Sequence, residues 1–420
     1  MTTRHTTDVT DASRPQASIL RILSSARRSL RGGLDVAERR LGPTGTRIAL
    51  LLFWGAPLWT GVVGRLVKHS TVFQDYQEIA CAAERRLQHL PLYGDTKCIG
   101  VVAAPYVYPP WVADVFAAPM ALLGRGGLMA GYLALFVTAV AALIWFALGY
   151  PLKTRTFSFR VAFLGFIAGG PVAFGNISIL VHAGIYAVAL AVGADSLLFA
   201  AAISVASLIK PLYLLLFALT VFSPGSLRRK ALVIGAGAVL PLASMLVTSP
   251  DVLAWRETVV QMMSGPDRGG GFTNMMEILG VSSLYGQGGL YALYGGTLLA
   301  SGVILSEFGN LDREQRVWLG GAIGVLMFPR IMCYDVLALG PGVIAALAAR
   351  ATGLPRDAGR FGGLALASCG LCFLSTLLGG IAHAWRELSY LGLVAVFALS
   401  AWDVVRGRLA PRTLKVGGSA

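Results

Sequence analysis

GLMAGYLALFVTAVAALIWFALGY, residues 127–150, runs for 24 positions without one charged side chain. A helix rises about 1.5 Å per residue, so a run of this length crosses the roughly 30 Å hydrocarbon layer of a bilayer. The rest of the chain repeats the signal. Apolar runs recur near 46–67, 159–173, 176–193, 195–209, 211–222, 231–248, 289–305, 317–329, 332–350, 361–380 and 388–405. Composition agrees: over 420 residues, 55% are hydrophobic, 13% are charged, and the mean hydropathy is +0.68. A water-soluble globule cannot cover its surface with so few polar groups. The expected class is all-α, a polytopic integral membrane protein with about 10–12 transmembrane helices.

Several runs are short and meet at helix breakers. The runs 159–173 and 176–193 join at Gly169, Gly170, Pro171, Gly175 and Asn176, and 195–209 joins 211–222 at Lys210-Pro211. Proline removes a backbone donor and clashes with the preceding turn, so each pair reads as a broken helix or a re-entrant hairpin.

The net charge of +14 is distributed as a topology signal. Nine arginines from Arg4 to Arg47 precede or open the first apolar run. Further basic groups follow later runs: Lys153, Arg155 and Arg160; Arg228, Arg229 and Lys230; Arg350, Arg356 and Arg360; Arg406, Arg408, Arg412 and Lys415. Short loops rich in Lys and Arg stay in the cytoplasm, which puts all of these and both termini on one side of a bacterial-type inner membrane. The chain then divides into a basic cytosolic tail over 1–45, a membrane-embedded domain over 46–405, and a cytosolic tail over 406–420. Within the tail, 17–31 sets Ile19, Leu20, Leu23 and Leu30 against several arginines, as in an interfacial helix on anionic lipid. The first 45 residues are too long and too Arg-dense for a cleaved signal peptide. No aromatic-interleaved basic patch accompanies the charge, so no nucleic-acid partner is expected.

The opposite, extracytoplasmic side receives two long loops, 68–126 and 249–288. The first contains VFQDYQEIACAAERRLQHLPLYGD, with Ile79, Ala83, Leu87 and Leu90 at helical spacing and Asp75 one turn before them. A carboxylate on that face either does chemistry or caps the helix start. Cys81 and Cys98 share this loop and form a candidate disulfide, whereas Cys333, Cys369 and Cys372 sit in or beside apolar runs and read as packing residues. PYVYPPWVADVFAAPMALLG follows, with Tyr106, Tyr108 and Trp111 around Pro109-Pro110. That cluster reads as an interfacial aromatic belt opening a helix along the outer surface. In the second loop, Met262, Met263, Met275 and Met276 form either an adaptable lid or ordinary packing.

The order of these elements resembles the family 87 glycosyltransferases of the glycosyltransferase C superfamily, which use polyprenyl-phosphate sugars and include bacterial mannosyltransferases. The resemblance rests on Asp75-Tyr76, Ala82-Ala83, Pro91-Leu92-Tyr93, Tyr108-Pro109-Pro110, and Ala118-Pro119 with Leu122-Leu123. Gly175-Asn176 followed by Leu180, and Lys210-Pro211, extend it over roughly the first half of the chain. In the second half, the family's late Ser-Pro element with Trp and His is replaced by FPRIMCYD, residues 328–335, which keeps Pro329 and sets Tyr334-Asp335 beyond it.

The resemblance implies a C-type fold with outer-face loops and interfacial helices. It implies an inverting transfer from a polyprenyl-phosphate-linked sugar to an extracytoplasmic glycolipid or glycan acceptor. A lipid phosphate departs as a stable anion, so one carboxylate suffices as base, and Asp75 is the candidate. Positive charge in a dry site steadies the leaving phosphate; Lys210 is the first candidate, Arg330 the second, and Arg256 and Arg268 follow. Asn176 either bonds sugar or phosphate or caps a helix. Tyr76, Tyr93, Tyr108, Tyr334 and Asp335 complete the expected substrate-binding set. His182 reads as a packed, hydrogen-bonded histidine, and His69, His89 and His383 as interfacial.

The sequence holds no metal-binding cluster of His or Cys, no D-x-D element, no phosphate loop and no dinucleotide fingerprint, so no metal or other cofactor is expected. The rival reading is a polytopic transporter or flippase of lipid-linked glycans. Such folds carry an internal repeat, and the two halves of this chain show none.

Overall fold

The computed structural model describes residues 73–94, 106–153, 169–264, 269–349, 358–378 and 383–409, with scattered positions between 36 and 67. The proposed interfacial helix 17–31, most of the run 46–67, residues 159–168, the tail beyond 409, and Cys98, His69 and Arg268 lie outside the described residues. What is described is all-helical, apart from an isolated antiparallel bridge between Gly270 and Ile331.

The decisive run belongs to a longer helix, α2 (Pro110–Lys153), which follows the shorter α1 (Gln74–Leu87). Pro110 opens α2, where a missing N–H costs nothing. Leu128, Tyr132, Phe136, Ala139 and Leu143 recur at three- and four-residue steps and are buried. Leu135, Val137 and Trp145 point outward, at 63%, 58% and 72% exposure, on a face that only an apolar surrounding would satisfy. The expected separation between an interfacial stretch and a span is a kink within one helix: Gly124 takes φ 67° and ψ 176° and turns the axis.

Among the described residues, three helices are long and apolar enough to cross a membrane: Pro110–Trp145, Tyr285–Phe308 and Ala384–Leu409. Shorter apolar helices include Ile177–Val192, Leu197–Ile209 and Val336–Ala348. Both expected breaks are present. Helix α3 (Gly169–Phe174) stops at Gly175, and α4 (Ile177–Val192) starts afresh at Asn176. Helix α5 (Leu197–Ile209) ends at Lys210, and a 3-10 turn over Pro211–Phe217 leads into α6 (Ala218–Phe222). The run expected at 332–350 begins later, because 327–335 is turn and only α-helix from Leu339 to Ala348 continues.

The core centres on the helix Arg313–Leu326, opened by a capping box between Asp312 and Gln315. Every residue from Val317 to Leu326 is buried. Its glycines allow backbone contact: a Cβ on Gly320 would lie 2.7 Å from the Cα of Leu219. The expected second outer loop is itself structured, as helices Pro250–Ser264 and Phe272–Ile278. It packs on the first: Trp255 lies 6.0 Å from Trp111 and donates its indole N–H to the Val107 carbonyl at 3.0 Å. Arg86 joins Asp114 of α2 and Asp251 of the second loop, the latter at 2.9 Å. Met275 and Met276 are buried with Phe272, as packing rather than as an open lid.

One contact fixes where α1 begins. Phe73 takes a left-handed conformation, φ 60°, and its N–H bonds the Ala173 carbonyl at 2.7 Å. Its ring fills the space over Gly175, where an added Cβ would stand 2.4 Å from a ring carbon and where φ is +65°. Gly175→Ala therefore combines backbone strain with a clash, and should lower stability by at least about 2 kcal/mol. Thermal unfolding in detergent reads this as a drop in Tm; an unchanged Tm would show that the ring moves freely aside.

Candidate functional site

Three breaks in helical structure meet at one cluster. Asn176 has extended geometry and caps α4, its side-chain oxygen accepting from the Ser178 N–H at 2.9 Å. The remaining amide donates to the Asp75 carboxylate, so capping and clamping are done by one side chain. Asp75 sits in the first turn of α1, where the helix dipole favours negative charge.

Lys210 enters from the second break. Its backbone is extended, φ −143°, as expected before proline. Its ammonium donates to Ser178 Oγ at 2.7 Å and to the Tyr334 hydroxyl at 3.2 Å. It also lies 4.7 Å from the Tyr334 ring centroid and 5.4 Å from that of Tyr108. Asn176, Ser178, Tyr108 and Tyr334 are buried, while Asp75 and Lys210 are half-buried. A carboxylate and an ammonium are thus the partly accessible charged groups of this cluster.

The third contribution is the turn 328–335. Asp335 is buried; one carboxylate oxygen lies 2.9 Å from His182 Nε2 and the other accepts the Met332 N–H at 2.9 Å. With both oxygens engaged, Asp335 shapes the turn that presents Tyr334 and does not itself face an open space. His182 is packed and hydrogen-bonded, as expected, and its partner lies 153 positions away.

The other candidates fall elsewhere. Tyr76, one position past Asp75, points about 100° away around the helix. It is buried, with its ring 4.5 Å from Tyr132, inside the core rather than in the cluster. Tyr93 donates to the Tyr108 carbonyl at 2.7 Å and so braces the 106–110 turn from behind. Arg330 is within electrostatic reach of Lys210 but lines a separate cavity. Arg256 bonds the carbonyls of Met245 and Val247 and holds a loop. Cys81 is disulfide-bonded; its expected partner Cys98 lies outside the described residues. Cys333, Cys369 and Cys372 are outside disulfides, the last two buried.

Two members of the cluster were not singled out from sequence. Ser178 sits two residues after the cap, and Glu78 lies one turn after Asp75; the three-residue spacing is the signal that could have found it. Glu78 is buried, and burial, reinforced by the Asp75 charge and opposed by Lys210, pushes its carboxyl up to about 8. Between the ordinary value of 4.5 and about 8 the folded chain holds a proton that the unfolded chain releases. Stability should therefore fall as pH rises through this window. Wild-type Tm is expected to be lower at about pH 8.5 than at about pH 5.5, and Glu78→Gln should remove that difference. A slope that persists in the variant would assign it to another group.

Comparison with known protein families, characterised proteins and solved structures gives no match to this chain.

Proposed function

We propose that this chain is a polytopic membrane glycosyltransferase of the C type that moves a sugar, mannose or a similar one, from a polyprenyl phosphate to an extracytoplasmic lipid or glycan acceptor. The observation that carries the reading is the meeting of Asp75 and Lys210 around Asn176 and Ser178, from segments 135 positions apart in sequence. Asp75 acts as the base on the acceptor hydroxyl, and Lys210, backed by the Tyr334 hydroxyl, steadies the departing phosphate. Both lie at helix breaks, where polar backbone is tolerated beside a membrane only if it lines a cavity or is buried in protein. In this reading both termini are cytoplasmic and the site faces the outer side of a bacterial inner membrane. The disulfide at Cys81, on the same helix as Asp75, fits an oxidising compartment.

The broken helices and the half-buried ammonium also suit a flippase of lipid-linked glycans. Reconstituted proteoliposomes separate the two. With labelled polyprenyl-phosphate sugars and a lipid extract as acceptor, a transferase converts label to a new glycolipid or glycan and releases polyprenyl phosphate. Movement of unchanged donor across the bilayer with no new product would replace the transferase reading by the flippase reading.

A further inference from the structure

Arg330 leads to a second cavity, of about 400 Å³, between the helix Phe272–Ile278 and the start of the helix Leu284–Phe308. Its volume is in the range of small-ligand sites, about 300–1,000 Å³. The cavity belongs to none of the contacts of the charged cluster, yet the two share a wall. The turn 328–335 carries Arg330 in the cavity and Tyr334 against Lys210.

Beside apolar surface that includes Val281, the lining carries a charge-balanced set of polar side chains, Thr273, Asn274, Glu277, Ser282, Gln287 and Arg330. Three of these side chains each commit one donor to the scaffold. Asn274 donates its amide to Glu387 at 2.7 Å, Gln287 donates to the Val281 carbonyl at 2.8 Å, and the Thr273 hydroxyl donates to the Pro329 carbonyl at 2.5 Å. Each bond orients its side chain and leaves its oxygen as an acceptor. Glu387 is itself buried and bonded to the Gly271 N–H at 2.8 Å, so the support beneath Asn274 is fixed. The result is a set of oriented donors and acceptors with one carboxylate and one guanidinium.

Such a lining matches a neutral ligand whose groups both donate and accept hydrogen bonds, as hydroxyls do. A phosphate or nucleotide would meet the Glu277 carboxylate beside the one guanidinium, and a wholly apolar tail would leave the polar groups unsatisfied. Resting on the transferase reading, we propose that this cavity is the acceptor subsite: it binds the terminal, uncharged saccharide of a glycan and leads its hydroxyl along the 328–335 turn toward Asp75.

The test is binding without donor or transfer, so that it stands or falls apart from the base assignment. The probes are methyl hexosides and pentosides and their disaccharides, observed by saturation-transfer NMR on the full chain in nanodiscs. At least one is expected to bind the wild type. Glu277→Gln and Gln287→Met should each weaken it about tenfold, the loss expected from one hydrogen bond in a polar site. Thermal melts check that all variants are folded. Absence of binding by every probe, or equal binding in the cavity variants, would each overturn the assignment. If transfer fails in every assay while a probe binds as described, the saccharide site stands and the transferase reading falls.

Discussion

Asp75→Asn is expected to lower sugar transfer by about 10²–10⁴-fold, the contribution of a positioned general base, with little change in Tm. The substituted amide keeps the size of the carboxylate and its oxygen still accepts from Asn176, so the clamp at the start of α1 survives. What disappears is the ability to take a proton. A second readout separates this from misfolding: Asp75's charge helps to hold the Glu78 carboxyl up, so removing it should move the pH-dependent fall in stability to lower pH. Transfer at wild-type rate with the shifted stability profile would leave Asp75 as a helix-start residue and remove it from the chemistry.

The next largest effect is expected at Lys210. Lys210→Met retains the length of the stem but removes the ammonium, and should reduce kcat by about 10²–10³-fold, the loss typical of a group facing developing negative charge. Ser178→Ala provides the contrast. It removes the nearest hydrogen-bond partner, at 2.7 Å, and leaves the charge in place with Tyr334 still in reach at 3.2 Å, so a reduction of no more than about tenfold is expected. Similar losses in the two variants would mean that the ammonium is a structural tie between two helix breaks, not a partner for the phosphate.

Sequence reading was strongest where a residue type leaves few conformations open. Gly175-Asn176 and Lys210-Pro211 announced the two breaks, and the charge-free run 127–150 announced a helix long enough to cross a bilayer. The start of that helix was harder to place, because Gly124 kinks the chain without ending the hydrogen-bonded run. Asp75, Asn176, Lys210 and Tyr334 could be named singly, but their meeting could not be derived from spacing, since it depends on how short helices stack. The His182–Asp335 contact illustrates the limit most clearly. Asp335 looked like a substrate group in a polar turn, yet tertiary packing engages both its oxygens and makes it a brace. The cavity at Arg330 was likewise invisible, because residues 273–287 meet the 328–335 turn only through tertiary packing.

Phe73 over Gly175 has a consequence for how such a scaffold can diversify. The depth at which Asp75 sits is gauged from a bare glycine in the bundle, through Phe73 two positions before it, and not from the chain that continues beyond α1. Under the proposed chemistry, substitutions further along the chain would change what is bound while the carboxylate keeps its station.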